Sequence, residues 1–202
     1  MEVSSSAFLR EQRPLLRELL ERLCARYEYA SILAADTRSK RYTVSGMGVS
    51  ASEDALFTKR GFVVRVLDGK GYGEFSFNHI SHEEIPEILE RIDGELMAAR
   101  QMPEGITAPS RPVPDEEMRS FAASTEYEIH PEELGDEKIL AHLTRIREAG
   151  TAADAKILDC LVMAHYQEIH KLFLSAKKDL EQNVMWTSGA LMMLAKIGRA
   201  HV

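Results

Sequence analysis

Hydrophobic and polar residues follow two periods along this chain, one typical of helices and one typical of strands. Leucines recur at helical spacing within residues 7–29, with arginine and glutamate between them, which predicts an amphipathic helix. Isoleucines and leucines have the same spacing over residues 85–96, and Ser81 is placed to cap a second helix over residues 82–101. A third helix is predicted over residues 136–149.

Strands are predicted where short runs of β-branched and aromatic residues are bounded by turn-forming residues. Residues 31–38 and 41–51 predict one hairpin with a turn at residues 38–40, and residues 63–67 and 72–77 predict a second. Further strands are predicted near 156–166, 169–176 and 184–195. Because tight turns join antiparallel neighbours, the pattern favours an α+β fold with helices on one face of each sheet.

A proline-rich segment divides this pattern in two. Residues 102–114 contain four of the seven prolines, which indicates an extended connection. The sequence therefore predicts two helix-plus-antiparallel-strand units, over residues 1–101 and 136–202, joined by a proline-rich and acidic linker over residues 102–135.

Composition and charge narrow the possible classes of function. Apolar residues make up 45% and charged residues 28% of the chain, as in folded globular proteins. A net charge of -7 offers little electrostatic attraction to nucleic acid or anionic lipid. No apolar run approaches the roughly 20 residues that cross a bilayer. Cys24 and Cys160, the only cysteines, lie in apolar runs and are predicted to be buried, inert thiols. With no signal peptide in the sequence, we expect a cytoplasmic protein without nucleic-acid or membrane partners.

Histidines are the residues from which a hydrolytic metal site would be built, and the chain has seven. His82 precedes a glutamate, as in zinc-binding helices, but Pro86 falls where the helical motif would continue, and no histidine follows at the required spacing. His165, Glu168 and His170 form the densest cluster, yet on a continuous strand His165 and His170 face opposite sides. No catalytic, cofactor-binding or metal-ligating residue is therefore assigned.

Other features have both a structural and a functional interpretation. The glycine-rich residues 69–73 lack the spacing of a phosphate-binding loop and are predicted to form a hairpin turn. Arg65 is predicted to face solvent, with a partner-facing or substrate-facing position as the alternative. Trp186 and the methionines near it are predicted to pack in the core, with an interface stripe as the alternative.

Residues 61–73, GFVVRVLDGKGYG, follow an amphipathic helix and a hairpin, and in that setting they resemble the amino-terminal domain of the TldD/PmbA family. The strands from Ile157 to Ala176 and from Val184 to Ala195 resemble the family segment that precedes its metal-binding region. The resemblance covers about residues 8–195. It departs from the family at Arg60, where one glycine of a pair is missing, and in the Asn-Ser-x-Gly turn, of which only Ser175 remains.

The resemblance implies a cytoplasmic, dimeric protease in which one subunit type holds zinc on an HExxxH helix and its paralogue lacks that motif. The implied function is the amino-terminal, dimerising and substrate-enclosing part of a TldD/PmbA-like zinc metallopeptidase, inactive by itself. The implied partners are a second copy or a paralogous subunit, together with a peptide substrate. Zinc is expected in a missing carboxy-terminal domain, with no cofactor in this chain, which we expect to be truncated at Val202.

Two alternatives remain open. The first is a free-standing α+β protein-binding or assembly module that has no catalytic activity and binds through a sheet edge or the Trp186 region. The second is a self-contained hydrolase that uses His165 and Glu168.

Overall fold

The computed structural model describes residues 6–68, 71–100 and 112–196. In chain order the helices and strands are α1 (Ala7–Cys24), β1 (Tyr29–Ser45), β2 (Gly48–Glu53), β3 (Lys59–Asp68), β4 (Gly71–Phe77), α2 (Ile85–Arg100), β5 (Arg119–Ser124), α3 (Pro131–Leu134), α4 (Asp136–Ala152), β6 (Ile157–Ser175) and β7 (Lys178–Ala195). None of the helices in the described residues is both long and apolar enough to cross a membrane.

The strands are hydrogen-bonded in the order β4-β3-β1-β6-β7-β5, and β2 pairs with β1. The pairs β1–β2 and β3–β4 are antiparallel, whereas β5 and β7 are parallel. Only two residues separate β6 from β7, a connection that antiparallel neighbours allow and parallel neighbours do not. The predicted α+β fold, with a mostly antiparallel sheet, is confirmed.

Contacts between residues divide the chain into two compact units that interleave along the sequence. Unit 1 comprises residues 1–36, 59–124 and 169–183, and unit 2 comprises residues 37–58, 125–168 and 184–202, within the described ranges. The chain passes from one unit to the other inside β1, β6 and β7. The domains predicted from sequence are, in contrast, continuous segments of the chain. Part of the predicted linker forms β5 and α3, and residues 102–111 of it lie outside the described residues.

The core of unit 1 is built from the apolar faces of α1 and α2 against the strands. Ser6 caps α1 by accepting the N–H of Leu9 at 3.2 Å, which satisfies one of the free donors at a helix start. The buried side chains of this core include those of α1, α2, β3 and β6: Leu9, Leu16, Leu19, Leu20, Leu23, Ile85, Ile88, Leu89, Ile92, Leu96, Phe62, Val64, Val66, Leu172 and Leu174.

The core of unit 2 is smaller and places α4 against strand residues. Tyr42, Val44, Leu143, Cys160, Val162 and Tyr166 form its buried cluster. Helix α4 approaches β6 so closely at Gly150 that a Cβ atom there would lie 2.8 Å from the sulfur of Cys160. The glycine therefore sets the distance between this helix and the strand. Burial of Cys160 agrees with the sequence prediction, and Cys24 is half-buried, with the pKa of its thiol raised by burial.

Several predicted boundaries were wrong, and in β1 and β6 the reason is that polar residues inside long strands were interpreted as turns or breaks. β1 continues through residues 38–40, because Ser39 donates to the carbonyl of Asp54 and Lys40 forms an ion pair with Asp136. The turn lies instead at residues 46–47. Likewise, β6 is one strand where two were predicted, and α2 begins at Ile85 after a turn that Ser81 caps.

Candidate interaction surface

The second half of β7 differs from the first in its exposure. Residues 178–183 are mostly half-buried and pair with β5, whereas every residue from Trp186 to Ala195 is exposed. Since successive side chains of a strand point to opposite sides, both faces of this segment are open.

Large apolar side chains dominate this exposed segment. Trp186 is 62% exposed, and four neighbours toward the end of the strand are also exposed. We refer to Trp186, Leu191, Met192, Met193 and Leu194 as the β7 apolar strip. The core-packing interpretation is therefore wrong for Trp186, Met192 and Met193. It is correct for Met185, which packs against the core of unit 2.

The edge of β7 is also unusual for a strand of this length. Pairing with β5 ends at Asn183, and the amide of Met185 then donates to the hydroxyl of Thr125 at 3.2 Å. In the described part of the chain, no further strand pairs with this side of β7. Residues 184–195 contain no charged residue, although soluble proteins commonly protect an exposed strand edge with charges or proline. An uncovered apolar patch of this kind marks an interaction site.

His130 contacts two acidic residues and two tyrosines of unit 2. Its Nδ1 accepts the N–H of Glu132 at 3.2 Å, so the ring proton is on Nε2, which lies 3.8 Å from the carboxylate of Glu168. The rings of Tyr127 and Tyr166 pack edge-on against the imidazole. These contacts enclose His130 on several sides and give it a role in beginning α3.

Two tyrosines of this unit are held in their neutral form. Burial, together with the negative charges of Glu132, Asp136 and Glu168, raises the pKa of Tyr166 to about 12. Burial raises the pKa of Tyr42 as well, and its hydroxyl donates to Asp136 at 2.8 Å.

Asp136 receives a further contact in the same network. Lys40 approaches its carboxylate at 2.6 Å, and hydrogen bonds from Lys40 and Tyr42 lower its pKa. Lys40 and Tyr42 each donate to the carboxylate of Asp136, and these two hydrogen bonds anchor the start of α4 to β1.

The histidines singled out by sequence do not come together. His165 packs its ring against Phe57, and His170 is buried in unit 1. Because β6 is continuous, these two residues point to opposite faces, as predicted. Within the described ranges, no three His, Cys, Asp or Glu side chains form a group that could hold a metal. The residues described do not fit a zinc site, and no chemical step is assigned to one.

Arg65 and the glycine-rich segment behave as their structural interpretations predicted. Arg65 is exposed, 3.5 Å from Glu74, with its guanidinium 5.3 Å from the ring centre of Tyr72. β3 and β4 pair antiparallel down to Asp68 opposite Gly71, so the segment joins two strands of a hairpin. Residues 69 and 70, at the tip of the predicted turn, lie outside the described residues.

Solved structures with a similar arrangement come from bacteria and an archaeon. A candidate modulator of DNA gyrase from Bacteroides thetaiotaomicron matches with a TM-score of 0.67 at 13% identity, over 92% of this chain and 41% of that chain. A second candidate gyrase modulator, from Thermotoga maritima, matches with a TM-score of 0.59 at 17% identity, over 91% and 40%. TldE from Thermococcus kodakarensis matches with a TM-score of 0.56 at 18% identity, also over 91% and 40%. This chain has the fold of the matched part of each structure.

The extent of the match matters as much as its quality. The chain spans about two fifths of the length of each of these solved structures. No protein-family model matches the sequence, and no curated protein does. At these identities the likeness shows the fold alone, so what the chain does has to be argued from its own surfaces.

Sequence reasoning found the β7 apolar strip only as the less favoured of two interpretations. The residues were singled out, but a strand that is apolar on both faces is also the signature of a fully buried strand. The signal that separates the two cases is the length of the pairing: β5 covers six residues of β7 and stops at Asn183. The length of this pairing cannot be predicted from the sequence of β7 itself.

Proposed function

We propose that this chain is the amino-terminal, non-catalytic part of a TldD/PmbA-type zinc metallopeptidase, where it takes part in dimer formation and substrate enclosure. The β7 apolar strip carries this proposal, because it is a strand with two open faces and an open edge. The fold shared with TldE and the candidate gyrase modulators supports it, as does the match to only about two fifths of those chains.

The physical argument is the cost of leaving the strip in water. Fully burying a large apolar side chain stabilises a protein by about 1.5–3 kcal/mol, and the strip has five such residues. A surface with that driving force, on an edge without charges, is complementary to another polypeptide segment that adds strand hydrogen bonds and covers both faces. In the proposed function this segment belongs to the remaining part of the same protein or to a partner subunit.

Catalysis is assigned outside this chain. The proposed zinc ligands are those of an HExxxH helix, a motif that the 202 residues do not contain. Peptides are the proposed substrate and the cytoplasm the proposed location. A second copy or a paralogous subunit is the proposed dimer partner.

The first test is the genomic reading frame beyond codon 202. A continuing frame that encodes HExxxH supports a zinc-bearing subunit, and a continuing frame without it supports the metal-free paralogue. A stop codon directly after Val202 contradicts the proposal and favours the free-standing assembly module, for which the same strip would be the binding surface.

The second test is biochemical and uses a matched control. The chain is co-expressed with the segment encoded downstream, and Met192→Lys, Leu194→Lys and Met47→Lys are compared for co-purification. Met47 is 98% exposed on the turn between β1 and β2 and is not a strip residue, so the same change there introduces the same charge at a different position. We expect the two strip variants to lose the downstream segment and Met47→Lys to retain it. Equal retention by all three would show that the strip is not the contact.

Zinc content separates the remaining alternative. The purified chain, treated with a weak chelator and analysed for metal, is expected to hold no stoichiometric zinc. One zinc per chain that is lost in His165→Ala would instead favour the self-contained hydrolase.

A further inference from the structure

A basic pocket lies in unit 1, between α1, the start of β5 and the turn that joins β6 to β7. Its volume is about 290 Å³, and four cationic side chains line it: Arg17, Arg119, Lys177 and Lys178. The chain as a whole has a net charge of -7, so the charge of this pocket is opposite in sign to that of the whole chain. A concave site lined by one sign of charge raises the local concentration of ions of the other sign.

The wall of the pocket on the α1 side is neutralised and held in place. Arg13 donates to Asp179 at 2.5 Å and to Glu181 at 3.0 Å, and Arg17 forms a second ion pair with Asp179. Two arginines are thus matched by two carboxylates. The network fixes Arg17 against β7.

The opposite side carries the excess charge. Arg119, Lys177 and Lys178 line this side, and Lys178 forms an ion pair with the buried Glu116 at 3.8 Å. Glu116 also accepts a hydrogen bond from the hydroxyl of Ser175. Among the residues that line the pocket four are cationic and one, Asp179, is acidic, so the lining is positively charged.

The backbone around these cations is organised in advance. The hydroxyl of Ser175 accepts the N–H groups of Lys177 and Lys178, at 3.2 and 3.0 Å, which shapes the turn between β6 and β7. The N–H of Arg119 donates to the carbonyl of Lys177 at 2.9 Å, which ties the start of β5 to that turn. The fixed backbone sets where these three side chains leave the main chain, which removes part of the ordering that a ligand would otherwise require.

We propose that this pocket binds a small polyanion with clustered oxyanion groups, phosphate or carboxylate, that carries at least two negative charges. Arg119 provides a planar fork of donors suited to paired oxygens, and the two lysines provide mobile point charges. A single carboxylate would leave positive charge uncompensated, whereas pyrophosphate or citrate would match it. The inference uses no residue of the β7 apolar strip and is independent of the proposed function.

The test is isothermal titration of the full chain with sodium pyrophosphate, and separately with citrate, at low ionic strength. We expect saturable binding that weakens as NaCl is added, because the contacts are largely electrostatic. The Arg119→Gln/Lys177→Gln variant should bind about tenfold more weakly or worse, since hydrogen bonds to charged groups are lost. The tighter of the two probes identifies the oxyanion.

The control variant is Lys59→Gln/Lys138→Gln, which removes two charges from exposed positions outside the pocket. It changes the net charge by the same amount, so it should bind as the unmodified chain does. Equal weakening in both double variants, or no saturable binding at low salt, would overturn the proposal. Near-ultraviolet circular dichroism of each variant verifies that the fold is retained.

Discussion

The ion pair between Asp36 and Arg60 offers the most direct test of the fold of unit 1. Asp36 is 1% exposed on β1, and Nε of Arg60 lies 3.2 Å from its Oδ1. The guanidinium also lies 4.7 Å from the ring centre of Phe8. Arg60 occupies one of the positions at which the sequence departs from the TldD/PmbA pattern, so this contact gives that departure a structural role.

We predict that Arg60→Met destabilises the protein by about 2 kcal/mol. Breaking a fully buried pair by removing one partner costs about 3–5 kcal/mol, because the other charge stays buried without compensation. The side chain of Arg60 is 54% exposed, so solvent screens part of the interaction and the expected cost is reduced to about 2 kcal/mol. Methionine keeps an unbranched apolar stem next to Phe8, so the substitution removes the positive charge and retains most of the apolar contact.

The companion variants complete a double-mutant cycle. Asp36→Asn keeps the shape and removes the charge, so we expect a loss of about 1 kcal/mol or less, because its buried polar atoms still need partners. In the double variant the uncompensated charge is gone, and its stability should lie close to that of Asp36→Asn. Lys59→Met, at the exposed neighbouring position, should change stability by less than about 0.5 kcal/mol.

The assay is urea unfolding followed by far-ultraviolet circular dichroism and by the fluorescence of Trp186, the only tryptophan. Coincident transitions from the two probes are the condition for treating the unfolding as two-state. If Arg60→Met is as stable as the unmodified chain, or if the double variant is no more stable than Arg60→Met, then Arg60 does not compensate the charge of Asp36 and the reasoning is refuted.

Three further perturbations test other parts of the structure. The raised pKa of Tyr166 means that the folded state holds the phenol proton more tightly than the unfolded chain does. The free energy of unfolding should therefore fall as pH rises from about 10 toward 12. Over that range the urea midpoint of Tyr166→Phe should fall less steeply than that of the unmodified chain. Gly150→Ala should cost about 1–3 kcal/mol because its Cβ would meet the sulfur of Cys160, and adding Cys160→Ala should recover part of that loss in thermal unfolding. Leu19→Ala, at a fully buried position of α1, should cost about 2–5 kcal/mol, whereas Leu56→Ala, 72% exposed, should leave the urea midpoint nearly unchanged.

Periodicity predicted the helices well because each helix has one apolar stripe that the sequence displays directly. The leucines of α1 and the isoleucines of α2 are the residues that the cores bury, and the predicted helix over residues 136–149 corresponds to α4. The hairpin of β3 and β4 was predicted for a related reason, since its turn residues and alternating strands are adjacent in the chain. The α+β class followed from these local patterns.

Long strands and the interaction surface depended on tertiary structure instead. Ser39 and Lys40 continue β1 because Asp54 and Asp136, distant in sequence, supply their partners. The cations of the basic pocket come from α1, β5, the β6–β7 turn and the first residue of β7, so no local spacing connects them all. The β7 apolar strip has the composition of a buried strand, and only the short pairing with β5 leaves it exposed. The sequence alone determined which segments are amphipathic, because that property is local; which of them are covered is a property of long-range pairing, and only the tertiary structure decided it.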